Sequence, residues 1–149
     1  MKRNSLIILI LFAVTLYQLQ ATDWNQYRGP NGSGLAEDCQ PPVKISEKNL
    51  IWKTLINPGF SSPTLSEEHI FLTGLSQDRL VTIAISKANG KIVWINRAPK
   101  VELEKVHKAG HPACSTPLVA DDSVFTYFGS YGLICYKFNG TELWKKPIP

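Results

Sequence analysis

From Asn49 onward, apolar residues come in runs of four to six, rich in Val, Ile, Leu, Phe and Tyr, and Gly, Asn, Asp or Ser breaks each run. Short β-branched and aromatic runs between turn formers predict strands joined by tight turns. The one helical candidate, Val101 to Lys108, is stopped by Gly110 and Pro112. Two copies of a single pattern overlay. The first runs Ser61-Ser62-Pro63-Thr64-Leu65, a Glu67-Glu68 turn, Ile70 to Thr73, Leu80 to Ile85, an Asn89-Gly90 turn and Lys91 to Arg97. The second runs Ser115-Thr116-Pro117-Leu118-Val119, an Asp121-Asp122 turn, Val124 to Tyr127, Leu133 to Tyr136, an Asn139-Gly140 turn and Thr141 to Lys145. Each copy reads as a four-stranded antiparallel meander. Asn-Gly predicts type I′ turns, whose two central residues both need positive φ.

Tryptophan punctuates the repeat. Trp52, Trp94 and Trp144 each follow an apolar run, at spacings of 42 and 50 residues. About 40–50 residues per four strands is the period of a propeller blade. The longer spacing is absorbed by the Ala98–Ala113 loop, which joins one copy to the next. The predicted fold is all-β: a partial β-propeller of about two four-stranded antiparallel blades over residues 49–149, plus an N-terminal closing strand at Ile51–Leu55 that resembles a fourth strand without its first three.

The ends change the picture of charge and location. Lys2 and Arg3 precede an apolar stretch from Leu6 to about Tyr17, and Ala21 follows. A basic start, a short apolar segment and a small-residue exit predict a secretory signal peptide over residues 1–21. The stretch is short for a membrane span, which needs about 20 apolar residues. The expected location is periplasmic or secreted, with no membrane span after signal removal. Lys2 and Arg3 also supply two of the four net positive charges, so the remaining domain carries no basic footprint for nucleic acid. Residues 22–48 are rich in turn formers and read as an N-terminal extension. Export permits disulfides. Cys39, Cys114 and Cys135 are odd in number; if two of them pair, Cys114 with Cys135 is the expected bridge.

The phrase from Ala84 to Trp94 resembles the tryptophan-docking repeat of the PQQ-like, quinoprotein-type propeller family. That family's pattern is Ala-x-Asp-x-x-Thr-Gly-x-x-x-Trp. Ala84, Gly90, Lys91 and Trp94 fit it, while Ser86 stands for the usual Asp and Asn89 for the usual Thr. In the second copy Gly140 and Trp144 fit, Cys135 takes the Ala place and Lys137 the Asp place, and the turn is one residue shorter. Upstream, Asp23-Trp24-Asn25-Gln26-Tyr27-Arg28-Gly29-Pro30 resembles the opening of exported, planctomycete-like bacterial members. The resemblance implies that this chain is an N-terminal fragment of such a propeller. It also implies structural roles for Trp52, Ala84, Gly90, Trp94, Gly140 and Trp144, with each indole packed between neighbouring blades.

Candidate chemistry is sparse. His107 and His111 stand four apart beside Glu102 and Glu104, a spacing that holds a metal when it lies on a helix. Gly110 and Pro112 argue for a solvated loop instead. Glu67-Glu68 and Asp121-Asp122 recur at one place in each copy, which marks turns. Neither a catalytic nor a metal-ligating residue is assigned. The expected function is a non-catalytic binding or assembly platform, whose partners are other exported or envelope proteins. The alternative is a fragment of a dehydrogenase that uses pyrroloquinoline quinone and calcium to oxidise alcohols or sugars. The resemblance places none of that cofactor's residues here.

Overall fold

The computed structural model describes residues 24–36 and 39–148. The expected export signal, residues 1–21, lies outside them. Eight strands follow one another: β1 Thr64–Leu65, β2 His69–Ser76, β3 Arg79–Ser86, β4 Ile92–Arg97, β5 Leu118–Ala120, β6 Ser123–Phe128, β7 Gly132–Lys137 and β8 Glu142–Pro147. They form two four-stranded antiparallel sheets, β1-β2-β3-β4 and β5-β6-β7-β8, each a simple meander. Val101–Lys108 is not helical.

Period-2 alternation sorts each strand between two faces. In the first sheet one face carries Phe71, Leu80, Thr82, Ala84 and Trp94, and it packs on Val124, Phe128, Ile134, Tyr136 and Phe138 of the second sheet. The other face carries Val81, Ile83 and Ile85, covered by Trp52 and Ile56. Both faces of β3 are therefore covered, and Leu80 through Ile85 are all buried. In β8 every residue is exposed. Two buried hydroxyls meet inside the joint, where Thr82 Oγ1 donates to Thr126 Oγ1 at 3.2 Å. Beside them Thr73 Oγ1 donates to the Ser115 carbonyl at 3.0 Å.

The first-strand edges are tied by the N-terminal extension. The amides of Leu65 on β1 and Val119 on β5 hold equivalent places in the two copies. They donate to successive carbonyls, those of Trp24 and Asn25, both at 2.8 Å. One short segment thus satisfies edge groups of both sheets, groups that would otherwise invite pairing with another chain.

Three expectations need correction. Ile51–Leu55 forms no strand. The segment reaches the first sheet through side chains, since no partner strands stand beside it to complete a ladder. The Asn-Gly turns are not type I′: Gly90 and Gly140 have positive φ (72° and 89°), but Asn89 and Asn139 do not. Each Asn side chain instead accepts the amide two residues on, and each hairpin carries a register shift, at Ala84/Ile85 and Cys135/Tyr136. Asp121 and Asp122 are the pair with two positive φ values, which a short carboxylate side chain tolerates. Finally, Cys39, Cys114 and Cys135 are all free. Cys135 lies 1% exposed in the second sheet while Cys114 is exposed on the loop.

A Cβ built on Gly140 would sit 2.9–3.1 Å from the Trp94 indole. Gly140→Val is expected to cost about 1–3 kcal/mol through overpacking, and Trp94→Ala about 3 kcal/mol through the void it leaves. Because the two groups touch, the double variant should lose less than the sum. Guanidinium denaturation of the four proteins measures this, and strict additivity would show that the joint is not a unit.

Candidate functional site

Of the residues expected to have structural repeat roles, Trp52, Gly90, Trp94 and Gly140 form a repeated joint between an indole and a glycine turn. The chain needs glycine there because the left-handed turn and the approaching ring leave no room for a side chain. At the first joint Trp52 Nε1 donates to the Lys87 carbonyl at 3.0 Å, and Thr54 Oγ1 donates to the Gly90 carbonyl. At the second, Trp94 Nε1 donates to the Phe138 carbonyl at 2.7 Å, and Asn96 Nδ2 donates to the Gly140 carbonyl at 2.6 Å. A Cβ on Gly90 would lie 2.5 Å from the Trp52 ring. The two joints have the same parts: an indole over glycine, its N–H on a carbonyl of that turn, and a donor two residues on.

Trp144 has no such turn beneath it among the described residues. It lies 44% exposed on β8, its ring 6.0 Å from Phe125 and opposite Cys135 in the ladder. Around it Leu118 (41%) and Tyr127 (44%) are also open. The face of the second sheet that turns away from the first is therefore an apolar surface with an aromatic centre. Ala84 and Cys135 hold matching places opposite Trp94 and Trp144. Burial pushes the Cys135 thiol up, opposed by a contact with Ser123; such a thiol is a packing group and a poor nucleophile.

Two open grooves, ≈ 470 and ≈ 680 Å3, share Glu67, Glu68, His69 and Val93. The first adds Asp122, Phe138 and Asn139, so the acidic turns of both copies face one groove. His69 forms part of its floor, with its ring 6.3 Å from Phe138 and its Nδ1 buried without a partner.

His107 and His111 do not face each other as a ligand pair. Each Nδ1 accepts a backbone amide two residues on, from Ala109 at 3.2 Å and from Ala113 at 3.1 Å. Both Nδ1 atoms are thus engaged in local turns of their own loop. Among the described residues no three His, Cys, Asp or Glu side chains converge. Sequence reasoning missed the Trp24 and Asn25 carbonyls. No side-chain pattern marks them, because they act through the backbone.

No protein-family model matches the chain, and no curated protein matches it.

Two measurements check this geometry. A thiol reagent applied to the folded protein should label Cys39 and Cys114 and spare Cys135, which becomes reactive only on unfolding; mass spectrometry after digestion reads the sites. Burial, and after it the charge of Glu142, push the Tyr136 phenol up from 10.0 to about 12. A phenol held neutral in the fold contributes stability that is present below about pH 10 and is lost as pH rises towards about 12. Tyr136→Phe should therefore flatten the alkaline decline in denaturant midpoint, and an unchanged slope would refute the assignment.

Proposed function

We propose that the two sheets are neighbouring blades of an exported β-propeller of the PQQ-like repeat type, which works as a non-catalytic binding or assembly platform. The observation that carries this reading is the recurrence of one joint. Trp52 and Trp94 seat on Gly90 and Gly140 with the same set of donors. Units that interlock with their neighbours by one repeated contact build arrays or rings. The joint spends the indoles on packing and leaves them no part in ligand chemistry.

The platform surface is the open face around Tyr127 and Trp144. A rigid sheet that exposes aromatic side chains has the composition of an interface centre, since Trp and Tyr give large contact area at small entropic cost.

Two arms test the proposal. The purified protein, incubated with pyrroloquinoline quinone, calcium and a panel of alcohols and sugars, should neither retain quinone in equilibrium dialysis nor reduce an electron-accepting dye. Quinone-dependent turnover would overturn the platform reading in favour of a dehydrogenase. A photo-crosslinking residue at position 127 in the exported protein should give discrete adducts that the same residue at position 100 does not. Adducts at both positions alike, or at neither, would count against this face.

A further inference from the structure

Asparagine followed by glycine is a chemically labile pair, because glycine has no side chain to hinder attack by its own main-chain nitrogen. In that reaction the glycine nitrogen gives up its proton and bonds to the asparagine Cγ. The bond from Cγ to the side-chain nitrogen breaks, and ammonia leaves with that proton. Water then opens the five-membered imide at either carbonyl, which yields aspartate or isoaspartate. Water is the only co-reactant.

The chain holds three such pairs, Asn31-Gly32, Asn89-Gly90 and Asn139-Gly140. All three glycine amides are engaged in turns: Gly32 N donates to the Gly29 carbonyl at 3.0 Å, Gly90 N to Ser86 at 2.8 Å and Gly140 N to Lys137 at 2.9 Å. The pairs differ in what stands over them. A Cβ on Gly90 would lie 2.5 Å from the Trp52 ring and one on Gly140 2.9 Å from the Trp94 ring, whereas one on Gly32 would meet nothing within 4 Å among the described residues. The Asn89 and Asn139 side chains are also pinned, each accepting the amide two residues on at 3.0 Å. The Gly90 and Gly140 carbonyls are held in turn by Thr54 and Asn96. Residues 31–36, by contrast, are all exposed.

We propose that Asn31 is the site at which this chain converts spontaneously to aspartate and isoaspartate, and that the two indole–glycine joints shield Asn89 and Asn139 from the same reaction. Ring closure requires the asparagine side chain to swing onto the next nitrogen and that nitrogen to leave its hydrogen bond, so it proceeds from an opened turn. Exposed turns with few contacts open at small free-energy cost, and packed elements open at a cost nearer that of global unfolding. The Asn31 turn belongs to the first kind. The Asn139 turn opens only if Trp94 lifts from Gly140, and the Asn89 turn only if Trp52 lifts from Gly90. The consequences differ as well. Conversion at Asn31 adds a negative charge to a turn that already holds Arg28, whose Nη2 donates to the Ser33 carbonyl at 3.1 Å. Isoaspartate at position 139 would insert a methylene into the main chain just before Gly140, and so displace the carbonyl that receives Asn96. A joint held open long enough to react would then no longer close on the same turn. The inference stands whether or not the two sheets are blades.

Timed incubation of the full chain at mildly alkaline pH, followed by peptide mapping with mass spectrometry, tests this by counting aspartate and isoaspartate at the three positions. Asn31 should convert first, with Asn89 and Asn139 slower by about tenfold or more. In guanidinium the three should convert at similar rates. Trp94→Ala should bring Asn139 towards the rate of Asn31 and leave Asn89 slow, and Trp52→Ala should do the converse. Asn96→Ala removes only the donor to the Gly140 carbonyl and should speed Asn139 by a smaller factor, which keeps the test sound if Trp94→Ala folds poorly. Conversion of Asn89 or Asn139 as fast as Asn31 in the folded parent overturns the proposal. So does a ranking that survives denaturation, since sequence and not structure would then set it. A folded Trp94→Ala protein, or failing that Asn96→Ala, in which Asn139 stays as slow as in the parent also overturns it.

Discussion

One contact organises the molecule: an indole ring laid on a glycine that cannot be anything else. At Gly90 and Gly140 an added Cβ would fall within about 3 Å of a tryptophan ring, closer than non-bonded carbons rest. The glycine serves two ends at once. Its positive φ closes the hairpin, and its bare surface admits a neighbour's ring. Because Trp94 and Gly140 lie far apart in the chain, the fourth strand of the first sheet docks only on the formed third-to-fourth-strand turn of the second. Cooperativity between sheets is thus built into a contact only a few atoms wide.

The rest of the fold follows from keeping that contact dry and in register. Phe71, Trp94, Tyr136 and Phe138 pack as tilted rings at 5.5–6.0 Å, the geometry that aromatic pairs prefer. Thr82 and Thr126 add a polar pair that is satisfied only at one offset of the sheets. A slip along the strand direction would break the bond between the hydroxyls and cost Thr82 that partner, at about 1–3 kcal/mol, while Thr126 Oγ1 keeps its contact with the Ile134 carbonyl. Apolar packing supplies the attraction, and the threonine pair fixes the alignment.

Much of the architecture was legible in the residues because strands advertise themselves locally. Runs such as Leu80–Ile85 and Val124–Tyr127 are β-branched and aromatic, and the structure places strands over them with bounds that differ by one to three residues. What sequence missed was not local. Asn-Gly suggests a two-residue turn, but the bulges at Ala84/Ile85 and Cys135/Tyr136 lengthen both hairpins and leave one left-handed residue in each. Ile51–Leu55 has strand composition and lacks strand neighbours, so the same residues that read as β lie as an extended strap. The ties from Trp24 and Asn25 to Leu65 and Val119 run through main-chain carbonyls, which carry no signature in a side-chain pattern. Of the candidate site, the tryptophans and glycines were visible as repeats. The donors beside them, Thr54 and Asn96, differ in type from copy to copy and could not be matched without coordinates.

The uneven treatment of the two copies bears most directly on function. A repeat selected only to close one internal joint has no reason to make its outer surface more apolar than its buried one. Here the buried row holds Thr64, Thr73 and Thr82, and the corresponding open row holds Leu118, Tyr127 and Leu133. Hydration alone would favour the reverse arrangement, with hydroxyls outside and methyls within. Solubility does not explain it either, since contiguous exposed apolar groups promote association. The inversion is physically sensible if that face is covered in the working state by another apolar surface. The far side of the first sheet, with Leu72, Val81, Ile83 and Ile85, is such a surface, and among the described residues Trp52 and Ile56 are the apolar side chains that cover it from outside the sheet. The outer faces of this chain are thus more like two halves of an interface than like two solvent-facing surfaces.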